Sequence, residues 1–230
     1  DGIYTTAPRL TDRARKLAEI GFLEMLEMAA LGAKMNPRSI ELGAVYDMPI
    51  YVASSFSDEP GTLIHGGEQT MEIRKAVTGI AVDRNVGKIT VRGVVDRPGI
   101  AAGLLQPLAD AGISIDVVLQ NTSSDGTTDF TFTVAQADVD AAAEIERNQT
   151  NVEFAEVVAG TDLAKVSIVG TGMENAPGYA ARMFSTLAAA GVNIDMITTS
   201  EIRITTIIER SQVQNAVEAL HDAFELEKTG

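Results

Sequence analysis

Cysteine and tryptophan are missing from this 230-residue sequence, and histidine occurs at only two positions. Without cysteine there can be no disulfide bond, no thiolate nucleophile and no cysteine-ligated zinc site. His65 and His221 are the only imidazoles, and we expect both of them on the surface rather than on a metal ion. The sequence therefore predicts no metal site.

Long apolar runs and a surplus of positive charge are also lacking. No run approaches the roughly 18 apolar residues that a membrane-spanning helix needs. The chain has 18 Lys and Arg against 32 Asp and Glu, a formal charge of −14, which repels nucleic-acid phosphates and anionic lipid surfaces alike. Apolar residues make up 45% of the sequence, enough for one or two packed cores. These features predict a soluble, cytoplasmic protein that binds neither nucleic acid nor membrane.

Two segments of the chain repeat one another. Each contains a β-branched run that leads into a Pro-Gly pair, at Pro98-Gly99 and again at Pro177-Gly178. The acidic residues Asp116 and Asp195 recur at the same distance, since 177 − 98 and 195 − 116 both equal 79. A shared offset at separate landmarks indicates two copies of one structural unit.

Within each copy the hydrophobic period alternates between that of a strand and that of a helix. The predicted order is β-α-β-β-α, and Gly112 and Gly191 end the first helix of each copy. The first copy is predicted to have a strand at 88–95, a helix at 99–111, strands at 115–121 and 128–134, and a helix at 137–147. The second copy is predicted to have a strand at 165–170, a helix at 178–190, strands at 194–200 and 202–208, and a helix at 211–224.

A ferredoxin-like unit of this order needs a fourth strand. Residues 152–158 can supply it for the first copy, whereas the second copy has no strand after its last helix. The spare strand is 77–83, and pairing it with the second copy inserts the first copy into the second. We therefore predict an α+β fold of two ferredoxin-like βαββαβ domains, at 84–160 and at 77–83 plus 161–230, with one nested in the other.

The segment before the repeats is different, with predicted helices at 22–32 and 37–46, a short strand at 49–53 and a polar loop at 54–62. Its motifs resemble the kinase domain of aspartate kinases, and motifs within the repeats resemble the paired ACT domains of that family. The motifs are Asp1-Gly2-Ile3-Tyr4-Thr5-Thr6-Ala7-Pro8-Arg9, Glu24-Met25-Leu26-Glu27, Gly32-Ala33-Lys34, Ser54-Ser55-Phe56, Gly61-Thr62-Leu63-Ile64, Val118-Leu119-Gln120-Asn121 and Thr199-Ser200-Glu201-Ile202-Arg203-Ile204.

The resemblance covers nearly the whole chain. It implies the C-terminal piece of an α/β amino-acid kinase domain at 1–70, followed by two ACT domains, in an enzyme that phosphorylates the β-carboxylate of aspartate with ATP. The sequence starts at Asp1 without a methionine, and we expect it to be a piece of a larger protein. It lacks the lysine- and glycine-rich phosphate-binding start of the family, and 32–38 is one residue shorter than the family pattern. We therefore expect this chain alone to be catalytically inactive.

The resemblance places part of a nucleotide site in the first residues. Asp1 and Tyr4 lie near the adenosine by this comparison, and Arg9 neutralises phosphate charge. A surface ion pair is the alternative role for Arg9. ATP with Mg²⁺ belongs to the complete enzyme, whereas this chain requires no cofactor of its own.

The repeated Pro-Gly turns suggest binding of a free amino acid. Each turn opens a helix, whose first N–H groups have no acceptor within the helix and can bind a carboxylate. Asp96 or Asp116 can take the ammonium group, and Gln120 can bind a ligand hydroxyl, a set that suits threonine. The alternative is purely structural, because Asp before Pro-Gly and Asn after Gly are common turn formers.

The resemblance implies two effector sites for feedback inhibition. One consists of Asp96, Pro98, Gly99, Ala101, Gln120, Asn193 and Ile194. The other consists of Asp116, Ser123, Ala180, Ser200 and Glu201, whose extra carboxylates can hold the second ammonium group of lysine. The resemblance also implies threonine or lysine as the effector, a homodimer formed through the ACT domains, and the catalytic kinase half as a partner. A separately made regulatory subunit and an ACT module from another enzyme are the alternatives.

Overall fold

The computed structural model describes residues 1–66, 76–122, 126–174 and 176–228. Its elements follow in the order β1 (Glu19–Gly21), α1 (Phe22–Ala30), α2 (Pro37–Val45), β2 (Ile50–Val52), β3 (Thr62–His65), β4 (Gly79–Val95), α3 (Ile100–Asp110), β5 (Ile115–Thr122), β6 (Thr127–Val134), α4 (Val139–Arg147), β7 (Glu156–Val169), α5 (Tyr179–Ala189), β8 (Met196–Thr199), β9 (Arg203–Glu209) and α6 (Val213–Ala223). None of the helices in these ranges has the length and apolar character to cross a membrane.

The chain divides into two compact units. The inner unit is Asn85–Leu163, and the outer unit combines Asp1–Arg84 with Ala164–Gly230. The inner unit is thus inserted in sequence within the outer one, as the repeat pattern predicts. The outer unit holds both the predicted kinase piece and the second ACT domain, and the boundaries predicted between those two stay a prediction.

The inner unit has the strand order β5-β6-β4-β7. Strand β6 is antiparallel to both β4 and β5. Leu104 and Leu108 of α3 are fully buried in the core of this unit, together with the tilted rings of Phe130 and Phe132 on β6. This order, with two helices between the strands, is the predicted ferredoxin-like arrangement.

The carboxyl-terminal part of the outer unit repeats that arrangement, with the strand order β4-β7-β9-β8. Strands β8 and β9 are antiparallel, and α5 and α6 pack on them around a shared core. Fully buried members of that core include Ile168, Met183, Leu187, Val217 and Leu220. The fourth strand is the first part of β4, residues 79–84, which precedes the inner unit in the sequence, so the predicted nesting is confirmed.

The amino-terminal part of the outer unit contains a three-stranded sheet in the order β1-β3-β2. Strand β1 is parallel to β3, and β2 is antiparallel to it. Ile20 and Ile64 face a core formed with Met25 and Met28 of α1 and Ile40 of α2. Strands β1 and β3 are absent from the elements predicted above, whereas β2 lies within the strand predicted at 49–53.

Two pairs of predicted strands are single strands in the structure. The segments predicted at 77–83 and 88–95 are both part of β4, and 165–170 continues a strand that starts at Glu156 rather than at residue 152. The polar residues between the predicted strands suggest breaks, but Arg84, Asn85 and Asp162 are exposed. Polar side chains on a solvated face do not interrupt an extended backbone.

The surface position expected for His221 is wrong. His221 lies on α6 and is 0% exposed. On the same helix Val213, Ala216, Val217 and Leu220 are fully buried, and residue 221 follows Val217 at helical spacing. That spacing is the signal by which its burial could have been found.

Candidate functional site

A cavity of about 510 Å³ lies in the outer unit. It is lined by nine of the first ten residues of the chain, all except Thr5, by the end of α1 and the residues after it, and by the start of β4. All three residues predicted to form the nucleotide edge, Asp1, Tyr4 and Arg9, line this single space. Its volume is in the range of cavities that hold small ligands.

A short antiparallel pairing holds the first residues in place. The N–H of Thr5 donates to the carbonyl of Arg15, and the N–H of Leu17 donates to the carbonyl of Ile3, each over 2.8 Å. The buried hydroxyl of Thr62 accepts from the N–H of Ile3 at 2.8 Å and donates to the carbonyl of Leu17 at 2.6 Å. Tyr4 stands between two anchored residues, so its backbone position at the cavity is fixed.

Positive charge is concentrated at this cavity although the chain is acidic. Arg9 and Lys34 both line it, and both are exposed. Arg9 forms no ion pair with another described residue, and its role at a phosphate group stays a prediction. Two cations that line one cavity suit a phosphate group. Lys34 was not among the residues predicted for the nucleotide site. Its position in the Gly32-Ala33-Lys34 motif is the sequence signal by which it could have been found.

Strand β4 supplies one wall of the same cavity. Ile80, Ala81 and Val82 line it, and the N–H of Ile80 donates to the carbonyl of Thr5 at 2.6 Å. A strand of the second ACT domain therefore shapes the space around Tyr4. No group of three or more His, Asp or Glu side chains is placed to hold a metal ion in the parts of the chain that the structure describes.

A second cavity, of about 390 Å³, lies in the inner unit at the start of α3. It is lined by Asp96, Arg97, Pro98, Gly99, Ile100, Ala101 and Gln120. Five of the seven residues predicted for the first effector site are thus brought together. Of the two carboxylates considered for the ammonium group, Asp96 lines this cavity and Asp116 does not.

The backbone turn at this cavity occurs in both repeats. Gly99 has a φ of 94° and Gly178 a φ of 102°, and each immediately precedes its helix. A Cβ atom at either position would meet nothing within 4 Å. The glycines are therefore required by the left-handed backbone, which L-residues rarely adopt, and not by lack of space.

Two hydrogen bonds fix the walls of the second cavity. The N–H of Asp96 donates to the carbonyl of Gly126 at 3.0 Å, which ties the turn to the β5–β6 hairpin. Nη2 of Arg97 donates to the carbonyl of Asn151 at 3.1 Å. Arg97 and Ile100 were not among the predicted site residues, although both belong to the predicted turn.

The other predicted effector residues are divided between the units. The outer unit contains Ala180 on α5, Asn193 and Ile194 before β8, and Ser200 and Glu201 in the β8–β9 turn, and the inner unit contains Asp116 on β5. Ser123 lies outside the described residues. Each predicted set contains residues from both units. That the residues of each set form one site stays a prediction.

ACT-domain family models match residues 89–157 and 166–224. A crystal structure of aspartokinase alpha and beta subunits is 45% identical in sequence, with a TM-score of 0.62. The match covers 66% of this chain and 100% of that one.

The chain belongs to the aspartate kinase family. Aspartate kinase of Pseudomonas fluorescens (strain SBW25) is 47% identical over 229 residues, which make up 99% of this chain and 55% of that enzyme. E. coli aspartokinase III, in a structure in complex with lysine and aspartate, is 25% identical with a TM-score of 0.76, over 97% of this chain and 49% of that one. The chain spans about half the length of the curated relatives it matches, and it is an aspartokinase regulatory region with ACT domains.

Proposed function

We propose that this chain binds threonine, lysine or both and thereby mediates feedback inhibition of an aspartate kinase. The observation that carries the proposal is the cavity at the start of α3, where Asp96, Gln120 and the first turn of a helix surround one space. Each part matches one group of a free amino acid. The helix N–H groups suit the carboxylate, Asp96 suits the ammonium group, and Gln120 suits the hydroxyl of threonine.

A lysine site is proposed at the second set of residues, Asp116, Ser123, Ala180, Ser200 and Glu201. The structure of E. coli aspartokinase III contains lysine, which supports an effector of this class for the family. Glu201 is exposed in the β8–β9 turn, where its carboxylate can reach a ligand ammonium group.

Isothermal titration calorimetry of the 230-residue chain tests the amino-acid binding. We expect threonine to bind, and valine, which has the same shape without the hydroxyl, to bind at least about tenfold more weakly, because Gln120 then loses its partner. Lysine titrated into the threonine-saturated chain tests the second site. Absence of heat with both threonine and lysine at millimolar concentration contradicts the proposal.

The phosphorylation of aspartate is proposed to need a catalytic partner. Tyr51 and Leu63 are cross-strand neighbours on the face of the β1-β3-β2 sheet opposite buried Ile64, and they are 61% and 37% exposed. All-parallel sheets are almost always covered on both faces, and β1 and β3 form a parallel pair. The face around Leu63 therefore suits the remaining part of a kinase domain, which would also complete the ATP and Mg²⁺ site beside Tyr4 and Arg9.

That kinase part can belong to the same polypeptide or to a second one. The aspartokinase of the matching crystal structure has alpha and beta subunits, which favours a separate regulatory subunit as the second candidate. The mass of the native gene product distinguishes the two arrangements.

Co-expression tests whether the sheet face around Leu63 binds the remaining part of a kinase domain. We expect this chain to be inactive alone and to form an active kinase with the amino-terminal part of the Pseudomonas fluorescens relative. Leu63→Asp should abolish the pairing, whereas Val158→Asp should retain it, since Val158 is equally exposed at 36% but lies in the inner unit. Activity that survives Leu63→Asp contradicts the proposed surface.

A homodimer through the ACT domains is also proposed. Strands β5 and β8 are at the edges of the strand orders given above, and Val118 and Ile197 on them are 43% and 41% exposed. Exposed edges with apolar side chains favour strand pairing between chains. Sedimentation equilibrium should show a dimer, and Val118→Lys with Ile197→Lys should shift it to a monomer; a wild-type monomer at micromolar concentration contradicts it.

A further inference from the structure

Helix α1 carries a buried carboxylate that contacts the second ACT domain. Glu24 is 5% exposed, and its Oε1 atom accepts hydrogen bonds from the hydroxyl of Thr78 at 2.8 Å and from the N–H and hydroxyl of Thr171 at 2.9 and 3.0 Å. Thr171 begins the connection from β7 to α5. That connection is the repeat counterpart of the one from β4 to α3, which forms the second cavity.

One turn further along α1, Glu27 contacts the first residue of strand β9 in the same domain. Its Oε2 atom lies 2.8 Å from Nη1 of Arg203 on β9, and both side chains are three-quarters buried. The carbonyl of Arg203 accepts from the N–H of Ser200 at 2.8 Å. Glu27 is therefore linked through one residue to the β8–β9 turn, which holds Ser200 and Glu201 of the proposed lysine site.

The far end of α1 lies at the cavity of Tyr4. Met28 is 3% exposed and lines that cavity, as do Gly32, Ala33 and Lys34 just after the helix. An α-helix rises about 1.5 Å per residue with its backbone fully hydrogen-bonded, so a displacement at Glu24 is carried to Met28. The helix thus has two anchors on the ACT domain and one end at the nucleotide edge.

Separating the carboxylate of Glu24 from the donors on Thr171 costs free energy. A buried carboxylate that loses its donors bears the whole cost of its desolvation, whereas an exposed carboxylate exchanges them for water. When the β7–α5 connection moves, Glu24 must follow its donors. An exposed ion pair in the same place would not transmit the motion, because water can replace either partner.

We propose that α1 transmits amino-acid binding at the start of α5 and at the β8–β9 turn, which hold Ala180, Ser200 and Glu201, to the cavity of Tyr4 and Arg9, with Glu24 as the positioning residue. The inference rests on the proposed lysine site. It adds the path by which that site reaches the nucleotide edge, and all residues of this path lie in the outer unit.

Hydrogen–deuterium exchange of the 230-residue chain, with and without millimolar lysine, tests the inference. In the wild type we expect lysine to slow exchange both at the 170–174 turn and at the 30–35 cavity segment, by about fivefold or more. In Glu24→Ala the turn should still be protected, while the cavity segment should change less than about twofold. Separate readouts for the two segments distinguish binding from transmission.

Two control variants distinguish a loss of transmission from a general loss of structure. Glu24→Gln keeps an Oε1 acceptor for Thr78 and Thr171 and should restore most of the transmission. Glu41→Ala removes an exposed carboxylate from α2 and should leave transmission intact. If Glu24→Ala does not fold, Thr171→Val replaces it, because valine retains the N–H and removes only the hydroxyl donor, which should weaken transmission partially.

The outcomes separate the inference from the proposed function. Protection of the turn without protection of the cavity segment in the wild type overturns the transmission and leaves lysine binding in place. Protection of both segments in Glu24→Ala overturns the role of Glu24. Protection of neither segment in the wild type overturns the lysine site and, with it, the inference.

Discussion

Nε2 of the buried His221 lies 3.1 Å from the hydroxyl of Thr5, a contact between residues 216 positions apart in the sequence. Thr5 is also fully buried. Its carbonyl accepts from Ile80, and its hydroxyl accepts from the N–H of Arg15 at 3.0 Å. One side chain thus joins the segment that lines the cavity of Tyr4 to α6 of the second ACT domain.

Replacing His221 by alanine should destabilise the chain. The variant loses a buried contact and leaves a cavity under α6, and we expect a loss of about 2–3 kcal/mol in the free energy of unfolding. Urea denaturation measures it. The control is Gln214→Ala on the same helix, whose exposed side chain contacts Glu218 and whose loss should cost under about 1 kcal/mol; equal losses contradict the structural role of His221.

The carboxyl group of Glu146 should make stability depend on pH. Burial raises its pKa from 4.5 to about 7, because desolvation disfavours the charged form. Both of its oxygens are buried without a hydrogen-bond partner among the described residues. The folded chain keeps the proton to higher pH than the unfolded chain, so the free energy of unfolding should fall by about 3 kcal/mol as pH rises from about 4.5 to about 8 and then level off.

Glu146→Gln isolates this effect. The variant cannot ionise, so its stability should show no such fall, and at pH 8 it should exceed that of the wild type. Glu144→Gln on the same helix is the matched control, because Glu144 is exposed and the variant should keep the wild-type pH profile. Parallel pH profiles for the wild type and Glu146→Gln contradict the assignment.

The left-handed turn at Gly99 should not tolerate a side chain. Gly99→Ala should destabilise the chain by about 1–2 kcal/mol through its backbone conformation alone, since a Cβ there meets no atom within 4 Å. Gly160→Ala offers equal space and has no positive φ, so it should be neutral or slightly stabilising. Thermal unfolding compares the two, and a similar loss in both would exclude the backbone explanation.

Asp96 should contribute more than Asp116 to threonine binding. Asp96→Asn removes the charge that faces the second cavity, and we expect affinity to fall about tenfold or more, the usual effect of losing a charge-assisted hydrogen bond. Asp116→Asn should change threonine affinity less than about threefold, because Asp116 lies outside that cavity. Calorimetry decides between them, and a larger loss for Asp116→Asn would reverse the assignment.

Much of the fold could be predicted because its signals are local. The Pro-Gly pairs, the glycines after the first helices and the β-branched runs indicate the βαββαβ order twice, and the shared offset of Pro98 and Pro177 relates the copies. The second copy has no strand after its last helix, and this predicts that the first copy is inserted into the second. Short strands such as β1 and β3 have no comparable signal, because their pairing depends on partners more than 40 residues away.

The sequence by itself determined the turns, the helices and the order of the elements in the two repeats, since these depend on backbone preferences and spacing within a few residues. It also indicated five of the seven residues that surround the second cavity. Only the tertiary structure decided how the buried polar side chains are paired. Glu24 meets Thr171 across 147 residues, and His221 meets Thr5. Such pairs form because a buried polar group must find a partner, and which partner lies within reach depends on how distant elements pack.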